Sequence, residues 1–328
     1  PNTDVVSAAD VSGKNLEKAK KIGVKETYSD YRELLAISDV DAVIITLPNF
    51  LHKESIFAAA EAGKHIFVEK PLALSSKDCE EIGVVVRRCG VWVMVGHNYR
   101  FLDSVQRLHK MYAEGFVGDV EIATLELILN GPFTPSFTPV HVSEWYFDKG
   151  VLGMGCLDSG IHLIDLFHWF FGEPSVVFAK LGYRFNLPYE DSATVVLQSK
   201  KQRTRGIMNV GWFSKTIFPK FNFRFILHGT NGFLSTDFFT PRNLYLHAAK
   251  EAVKNVSRHL LGLEIHPLTY TYYYASYHEE LKRFREAIEK DKEPEVGVKD
   301  ATIVAKTIEE IYRGRNMLGW QSESTSSS

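Results

Sequence analysis

The 328-residue sequence has little net charge and only three cysteines. Both shortages argue against particular classes of protein. Its formal net charge is -2 and it has no run of four or more basic residues, so nothing in its charge favours nucleic acid as a partner. Its three cysteines, Cys79, Cys89 and Cys156, have no CxxC spacing, which argues against a disulfide framework and a cysteine-rich zinc site. We therefore expect a protein of a reducing, cytoplasmic compartment.

Long apolar runs are also missing. The most apolar stretch, residues 163–171, is interrupted by Asp165 and His168. It is far shorter than the ~20 residues that a membrane span needs, so we expect no membrane partner. With 45% hydrophobic residues the chain can bury substantial cores, and its length suggests about two domains on a prior of ~150 residues each.

The first third of the chain alternates short apolar runs with amphipathic segments, which is typical of a parallel sheet covered by helices. The predicted strands are 5–9, 42–46, 65–68 and 91–95, and the predicted helices are 14–22, 31–35, 52–62 and 77–89. This pattern predicts a Rossmann-type doubly wound parallel sheet, an α/β domain, in residues 1–118.

From residue 119 onward, longer alternating strands predict a second domain of α+β type with a mostly antiparallel open sheet. The predicted strands are 121–129, 176–185, 193–198, 205–212, 221–227 and 232–236, and a helix over 156–171 interrupts them. Two further helices, 276–290 and 298–313, close this domain, which we place at 119–321. Residues 322–328 are polar and are predicted to be a disordered tail.

Two motifs indicate the chemistry. Glu69, Lys70 and Pro71 follow an apolar strand, and the sequence D-S-G-I-H-L-I-D at residues 158–165 places Asp158 and His162 on adjacent turns of one helix face. A neutral imidazole can remove a hydroxyl proton near neutral pH, and a lysine can hydrogen-bond the same hydroxyl. Lys70, Asp158 and His162 are therefore the candidate catalytic residues.

These motifs resemble the E-K-P and D-x-G-x-H-x-x-D motifs of the Gfo/Idh/MocA family of nicotinamide-dependent sugar and polyol oxidoreductases. The resemblance implies that Lys70 contacts the substrate hydroxyl and the nicotinamide ribose, that His162 is the general base, and that Asp158 orients the imidazole or binds substrate. In the family the peptide bond at this position is often cis, so the resemblance implies that the bond before Pro71 can be cis. The implied cofactor is NAD, with NADP as the alternative, and the implied substrate is a carbohydrate or polyol. A homodimer or homotetramer formed through the sheet of the second domain is expected.

A dinucleotide-binding domain normally opens with a strand, a G-x-G-x-x-G turn and a helix, and this motif does not occur in the sequence. Only the second half of the pattern is present, ending in Asp10 after the first predicted strand. Because the first strand of such a domain lies inside its sheet, we expect that the sequence lacks an N-terminal segment of the native protein. A true loss of the pyrophosphate loop is the alternative.

Other cofactor-binding candidates lie where predicted strands end, since ligands bind beyond the carboxyl ends of parallel strands. Asp10 is predicted to accept hydrogen bonds from the adenosine ribose and to repel a 2′-phosphate, which favours NAD; the alternative is a helix N-cap. The remaining candidates are Thr46, Pro48, Asn49, His52, Glu69, Lys70 and Asn98. For Asn49 and His52 the alternative is that they only begin a helix.

Two segments are predicted to shape the substrate pocket. Residues 96–101 resemble the N-x-R-F element of the family, in which Asn98 and Arg100 help to build the floor of the site, and Tyr99 adds a further donor. Trp145 is predicted to stack on a sugar ring, with packing between domains as the alternative. A metal site that uses Asp158 and His162 lacks a recognisable ligand motif, so no metal is predicted.

The leading functional hypothesis is an NAD(P)-dependent dehydrogenase acting on a secondary hydroxyl of a sugar, cyclitol or sugar derivative. One alternative is a glycosidase-like enzyme that retains NAD and oxidises its substrate transiently. The other is a non-catalytic sensor of a sugar or cofactor. Analysis of products separates the first two hypotheses, and ligand binding without turnover identifies the third.

Overall fold

The structure is a computed structural model and describes residues 3–36, 39–133, 148, 152–213, 221–241, 244–263 and 273–314. The strands of its first part are β1 (Ser7–Ala9), β2 (Glu26–Tyr28), β3 (Ala42–Ile45), β4 (His65–Glu69) and β5 (Val93–Gly96). The helices are α1 (Gly13–Lys21), α2 (Tyr31–Leu35), α3 (His52–Glu61), α4 (Ser76–Cys89) and α5 (Asp103–Ala113).

All the strands of the first part that pair do so in parallel. Among the described residues, β1 pairs with β2, and β3, β4 and β5 form a second sheet in that order. The apolar side chains of β4, Ile66 to Val68, are buried on both faces, because α3 packs against this strand on one side and the helix that starts at Tyr274 on the other. The carboxyl ends of β3, β4 and β5 therefore meet at one edge, as the Rossmann-type prediction requires.

The second part is built on a six-stranded sheet with the order β11-β10-β6-β9-β8-β7. Its strands are β6 (Val120–Leu129), β7 (Pro174–Gly182), β8 (Ser192–Ser199), β9 (Arg205–Trp212), β10 (Phe221–Gly229) and β11 (Gly232–Ser235). Every pairing is antiparallel except that of β6 with β9, so the prediction of a mostly antiparallel sheet is confirmed. Helix α6 (Leu157–Phe171) covers one face of this sheet and buries Phe167 against Gly206.

Three more helices follow: α7 (Leu244–Leu260), α8 (Tyr274–Glu289) and α9 (Val298–Gly314). The last of them, α9, joins the two parts of the molecule. Phe284 of α8 and Ala301 of α9 belong to the core around β3, β4 and β5, whereas Ile308 of α9 belongs to the core around α6. No helix in the described ranges is both long and apolar enough to cross a membrane.

Three elements were not predicted from the sequence, namely β2, α5 and α7. Strand β2 has only three residues and no apolar run, and α5 and α7 mix charged and apolar residues without a clear boundary. The strand predicted over 176–185 ends at Gly182, because the chain turns there toward Asp191, whose backbone N–H donates to the Gly182 carbonyl. The predicted domain boundary at residue 118 stays a prediction, and the predicted tail 322–328 lies outside the described residues.

Candidate active site

Three loops at the carboxyl edge of the parallel strands contain most of the predicted site residues. Thr46, Pro48 and Asn49 follow β3, and Glu69 ends β4 with Lys70 directly after it. A 3₁₀ turn over Asn98–Phe101 follows β5. Helix α6 of the second part lies against this edge, so the two sequence motifs come together in space.

Lys70 connects the two motifs directly. Its Nζ donates to Oδ2 of Asp158 at 2.6 Å and to the backbone carbonyl oxygen of Asp158 at 3.0 Å. The peptide bond between Lys70 and Pro71 is cis, as predicted. The second carboxylate oxygen of Asp158, Oδ1, is buried and has no hydrogen-bond partner among the described residues. The pair is therefore formed between two domains and leaves one buried acceptor at the site.

His162 lies one helical turn after Asp158, with its imidazole packed between two aromatic rings. The Tyr99 ring stacks on it at 4.2 Å between centroids, and His97 approaches edge-on at 6.0 Å. Burial, followed by the positive charge of Lys70 and by His97, lowers the pKa of His162 well below its ordinary value. The imidazole is therefore neutral at physiological pH, which is the form that accepts a proton.

Tyr99 is itself held by neighbours that come from distant parts of the chain. Its buried ring meets Phe223 of β10 and Tyr273 edge-on. The adjacent Asn98 donates through Nδ2 to Oγ of Ser276 at 3.1 Å, at the start of α8. Tyr99 thus packs on the imidazole of His162, and Asn98 links the loop after β5 to α8.

Arg100 is directed into the protein. Its guanidinium donates to both carboxylate oxygens of Asp165, through Nε at 2.7 Å and Nη2 at 2.6 Å. Nη2 also donates to Asp300 of α9 at 3.2 Å, and Nη1 donates to the backbone oxygen of Glu295. Arg100 therefore connects the loop after β5 to α6, the helix that carries His162. Nothing local in the sequence indicated Asp300, because it is 200 residues away from Arg100.

His52 and Asn49 contact backbone atoms. The His52 ring nitrogens lie 2.7 Å from the carbonyl oxygen of Pro71 and 2.8 Å from that of Leu47. Burial lowers the pKa of this histidine, and a neutral ring can donate to only one of the two oxygens. Asn49 donates through Nδ2 to the carbonyl of Leu152 at 3.0 Å. These contacts hold the loop after β3 against the loop that carries Lys70 and against the segment before α6.

Asp10 makes the local bonds of a turn at the start of α1. Its Oδ1 accepts from the backbone N–H of Ser12 at 2.7 Å, and its Oδ2 accepts from Nδ2 of Asn15 at 2.9 Å. A carboxylate has about four lone-pair sites, so these two bonds leave acceptor capacity for a ribose hydroxyl. The N-cap of α1 is Ser12, so the alternative that Asp10 itself caps this helix is wrong, and its cofactor role stays a prediction.

Glu280 of α8 is a buried carboxyl that sequence reasoning missed. Its exposed fraction is 0%, and neither of its carboxylate oxygens has a hydrogen-bond partner within the part of the chain that the structure describes. Burial, with the nearby charge of Glu69, raises the pKa of Glu280 to about 9, so the group is protonated at neutral pH. Burial also raises the pKa of Glu69. Two adjacent glutamates on a helix usually indicate a solvated face, so the burial of Glu280 could not be predicted from its neighbours along the chain.

Trp145, the predicted aromatic platform, lies outside the described residues. No group of three or more histidine, cysteine, aspartate or glutamate side chains that could hold a metal ion occurs in the described ranges.

Comparison with known proteins gives two matches to models of one family. Residues 1–97 match the "Oxidoreductase family, NAD-binding Rossmann fold" model, and residues 105–235 match the "GFO/IDH/MocA C-terminal domain" model. Together these matches cover more than half of the chain.

The individual relatives match either over only about half of the chain or at less than 30% identity. Levoglucosan dehydrogenase of Pseudarthrobacter phenanthrenivorans is 34% identical over 168 residues, which are 50% of this chain and 42% of that protein. The uncharacterized oxidoreductase YrbE of Bacillus subtilis is 28% identical over 300 residues, 89% of this chain and 81% of that protein. A solved structure of levoglucosan dehydrogenase in complex with NADH and levoglucosan superposes with a TM-score of 0.75 at 21% identity, covering 94% of this chain and 87% of that chain. At that identity the superposition shows a common fold.

Proposed function

Because the chain belongs to the Gfo/Idh/MocA oxidoreductase family, we propose that it transfers hydride between a nicotinamide cofactor and a secondary hydroxyl of a sugar, cyclitol or sugar derivative. The single observation that carries this proposal is the convergence of a lysine, a carboxylate and a neutral imidazole at the edge where ligands bind in parallel sheets. The substrate class is supported by relatives that include levoglucosan dehydrogenase.

The residues at this edge fit a dinucleotide. In this proposal Asp10 would accept from the adenosine ribose, and Thr46, Pro48 and Asn49 of the loop after β3 would contact the nicotinamide end together with Glu69 and Asn98. The fit is supported by two buried polar atoms, Asp158 Oδ1 and His162 Nδ1, which have no hydrogen-bond partner in the described ranges. When bound, the nicotinamide accepts the hydride in oxidation and returns it in reduction.

The proton is handled by the side chains of this chain. In oxidation, neutral His162 removes the hydroxyl proton as the carbon loses hydride, and the Lys70 ammonium donates a hydrogen bond to the oxygen, where negative charge develops. Asp158 orients the Lys70 ammonium through hydrogen bonds to its carboxylate and its backbone oxygen. In reduction the imidazolium returns the proton to the same oxygen.

The remaining predicted residues position this set. Tyr99 fixes the plane of the His162 ring, and Arg100 fixes α6 through Asp165. His52 holds the backbone at Pro71 and therefore the loop of Lys70. The sequence-based prediction assigns Arg100 to the floor of the substrate site and His52 to the cofactor site. Because their nitrogens contact Asp165 and backbone oxygens, we propose instead that both act through other residues and do not touch the substrate.

We also propose NAD as the preferred cofactor, a cytoplasmic location and a homo-oligomer. Asp10 supports NAD, because a carboxylate repels a 2′-phosphate. The three free cysteines support a reducing compartment. The face of the six-stranded sheet opposite α6, where Ile207 is exposed, supports self-association through that sheet.

The proposal is tested with the purified full-length protein and a panel of sugars, cyclitols and their glycosides, each with NAD or NADP. We expect cofactor reduction in step with formation of a ketone, and loss of both with Lys70→Ala. Cleavage of a glycoside without net NADH would favour the transient-oxidation alternative. Ligand binding without turnover of any compound would favour the sensor.

A further inference from the structure

Helix α7 presents an apolar stripe to solvent. Leu246, Val253, Val256 and Leu260 are 61%, 69%, 62% and 79% exposed. With Ala249, which is also exposed, these residues recur every three or four positions and fall within an arc of roughly 80° on one side of the helix. A surface helix of a globular protein normally buries such a stripe.

The opposite side of α7 is polar and faces the protein. Asn255 is buried, and His247 and Glu251 are partly buried on the same side. Glu251 pairs with Lys254 at 2.5 Å and with Arg258 at 3.7 Å. The helix is thus oriented with its polar residues inward and its apolar residues outward. The apolar surface continues past the end of the helix at Leu261 and Leu263, which are also exposed.

The charges beside the stripe are positive. Lys250 and Lys254 lie along one edge of it. Glu251, the only acidic residue in the sequence of α7, lies toward the inner side and pairs with Lys254, so this edge keeps a net positive charge. An exposed apolar stripe flanked by lysines is the arrangement of a helix that lies in the plane of an anionic lipid surface.

An antiparallel second copy of the chain fits this surface less well. Because both lysines flank the same edge, an antiparallel pairing of two stripes would place that edge against itself and oppose lysine to lysine. Anionic headgroups attract both lysines, whereas the lipid acyl chains take up the apolar side chains.

We propose that α7 binds peripherally to an anionic lipid membrane, with its apolar stripe in the interface and Lys250 and Lys254 at the level of the headgroups. This attachment needs no membrane-spanning segment. The sequence-based expectation of no membrane partner rested on the length of apolar runs, and length does not detect a helix that lies on the surface.

The test is flotation of the full chain with vesicles of phosphatidylcholine alone and with about one-third phosphatidylglycerol. We expect binding to the anionic vesicles that weakens at roughly 0.5 M salt. Val253→Glu should lower the bound fraction about tenfold, because it places a charge in the apolar stripe. Val84→Glu is the matched control, since Val84 is also a helical valine, 59% exposed on α4, and it should bind like wild type.

Lys250→Glu gives a second test that leaves the apolar stripe intact. It should weaken binding to anionic vesicles, and circular dichroism should confirm that each variant is folded. Absence of vesicle binding by the wild-type chain would overturn the proposal, as would an equal loss with Val84→Glu. A dimer that Val253→Glu dissociates, with no binding to either vesicle, would assign the stripe to a second copy instead.

Discussion

The Lys70 ammonium donates to both the side-chain Oδ2 and the backbone oxygen of Asp158, at 2.6 and 3.0 Å, and so joins the end of β4 to the first turn of α6. The lysine comes from the parallel sheet, and the carboxylate comes from the helix that carries His162 one turn later. In the proposed mechanism, the geometry of proton transfer therefore depends on the contact between the two halves of the molecule. It also couples the charge of Lys70 to the pKa of His162.

Lys70→Met should raise the pKa of His162. Burial is the largest cause of its lowered pKa and remains in the variant, whereas the opposing positive charge is removed, so the pKa moves upward toward its ordinary value. NMR titration of the imidazole measures this. His65 is the internal control, because burial lowers its pKa too, with Asp291 and Asp41 as its charged neighbours. An unchanged His162 pKa, or an equal change at His65, would contradict the coupling.

Arg100→Ala should lower the free energy of unfolding by about 3–5 kcal/mol, because it leaves the buried carboxylate of Asp165 without its partner. Turnover should fall as well, since α6 loses the ion pair between Arg100 and Asp165 that holds it in place. Arg88→Ala is the control: Arg88 pairs with Glu61 on the surface, where both side chains are mostly exposed, and its loss should change stability little. Denaturant unfolding compares the two. Similar small losses would show that the Arg100 network does not hold the helix.

Glu280→Gln should stabilise the protein, and increasingly so as the pH rises from about 5 toward 9. The pKa of Glu280 is raised to about 9 in the folded state, so the folded protein holds a proton that the unfolded chain releases above its ordinary pKa of about 4.5. Stability from this group is complete below pH ~4.5 and declines until the folded pKa is passed. An uncharged glutamine removes this decline, and we expect a gain of about 1–3 kcal/mol near pH 7–8. If the difference in unfolding free energy between Glu280→Gln and wild type did not vary with pH, the protonated state of Glu280 would be contradicted.

Asp10→Ser should narrow or reverse the preference for NAD over NADP, mainly through cofactor affinity, by removing repulsion of the 2′-phosphate. Asp30→Ser is the control for the loss of a local hydrogen bond, because Asp30 also accepts from a backbone N–H two residues later, that of Arg32. Titration of wild type and both variants with NAD and with NADP measures the two affinities. Tighter binding of NADP by the wild-type chain would rule out the assignment.

The sequence predicted those features that depend on neighbours along the chain. The strand that ends at Glu69, the helix that carries Asp158 and His162, and the alternation of the second sheet all follow from local periodicity. These features were sufficient to assign the fold class and to select the catalytic candidates.

The features that could not be predicted depend on contacts between distant segments. The stacking of Tyr99 on His162 and the bonds from Arg100 to Asp165 and Asp300 arise only when the two halves meet. The burial of Glu280 is of the same kind, because its sequence context is that of an exposed helix. The apolar side of α7 faces solvent, whereas a surface helix ordinarily buries its apolar side. The periodicity of the sequence alone therefore cannot show which side of α7 is exposed.

The most direct measurement of the central claim is hydride transfer in a single turnover, followed by cofactor absorbance in wild type, His162→Ala, Lys70→Ala and the double variant. We expect each single variant to slow the transfer by ~10²-fold or more, and the double variant to lose less than the product of the two, because the residues act as one unit. His228→Ala, an exposed histidine on β10, should transfer hydride at the wild-type rate. If His162→Ala also transferred hydride at the wild-type rate across neutral pH, His162 would be only a packed residue of α6, and the proposed mechanism would be contradicted.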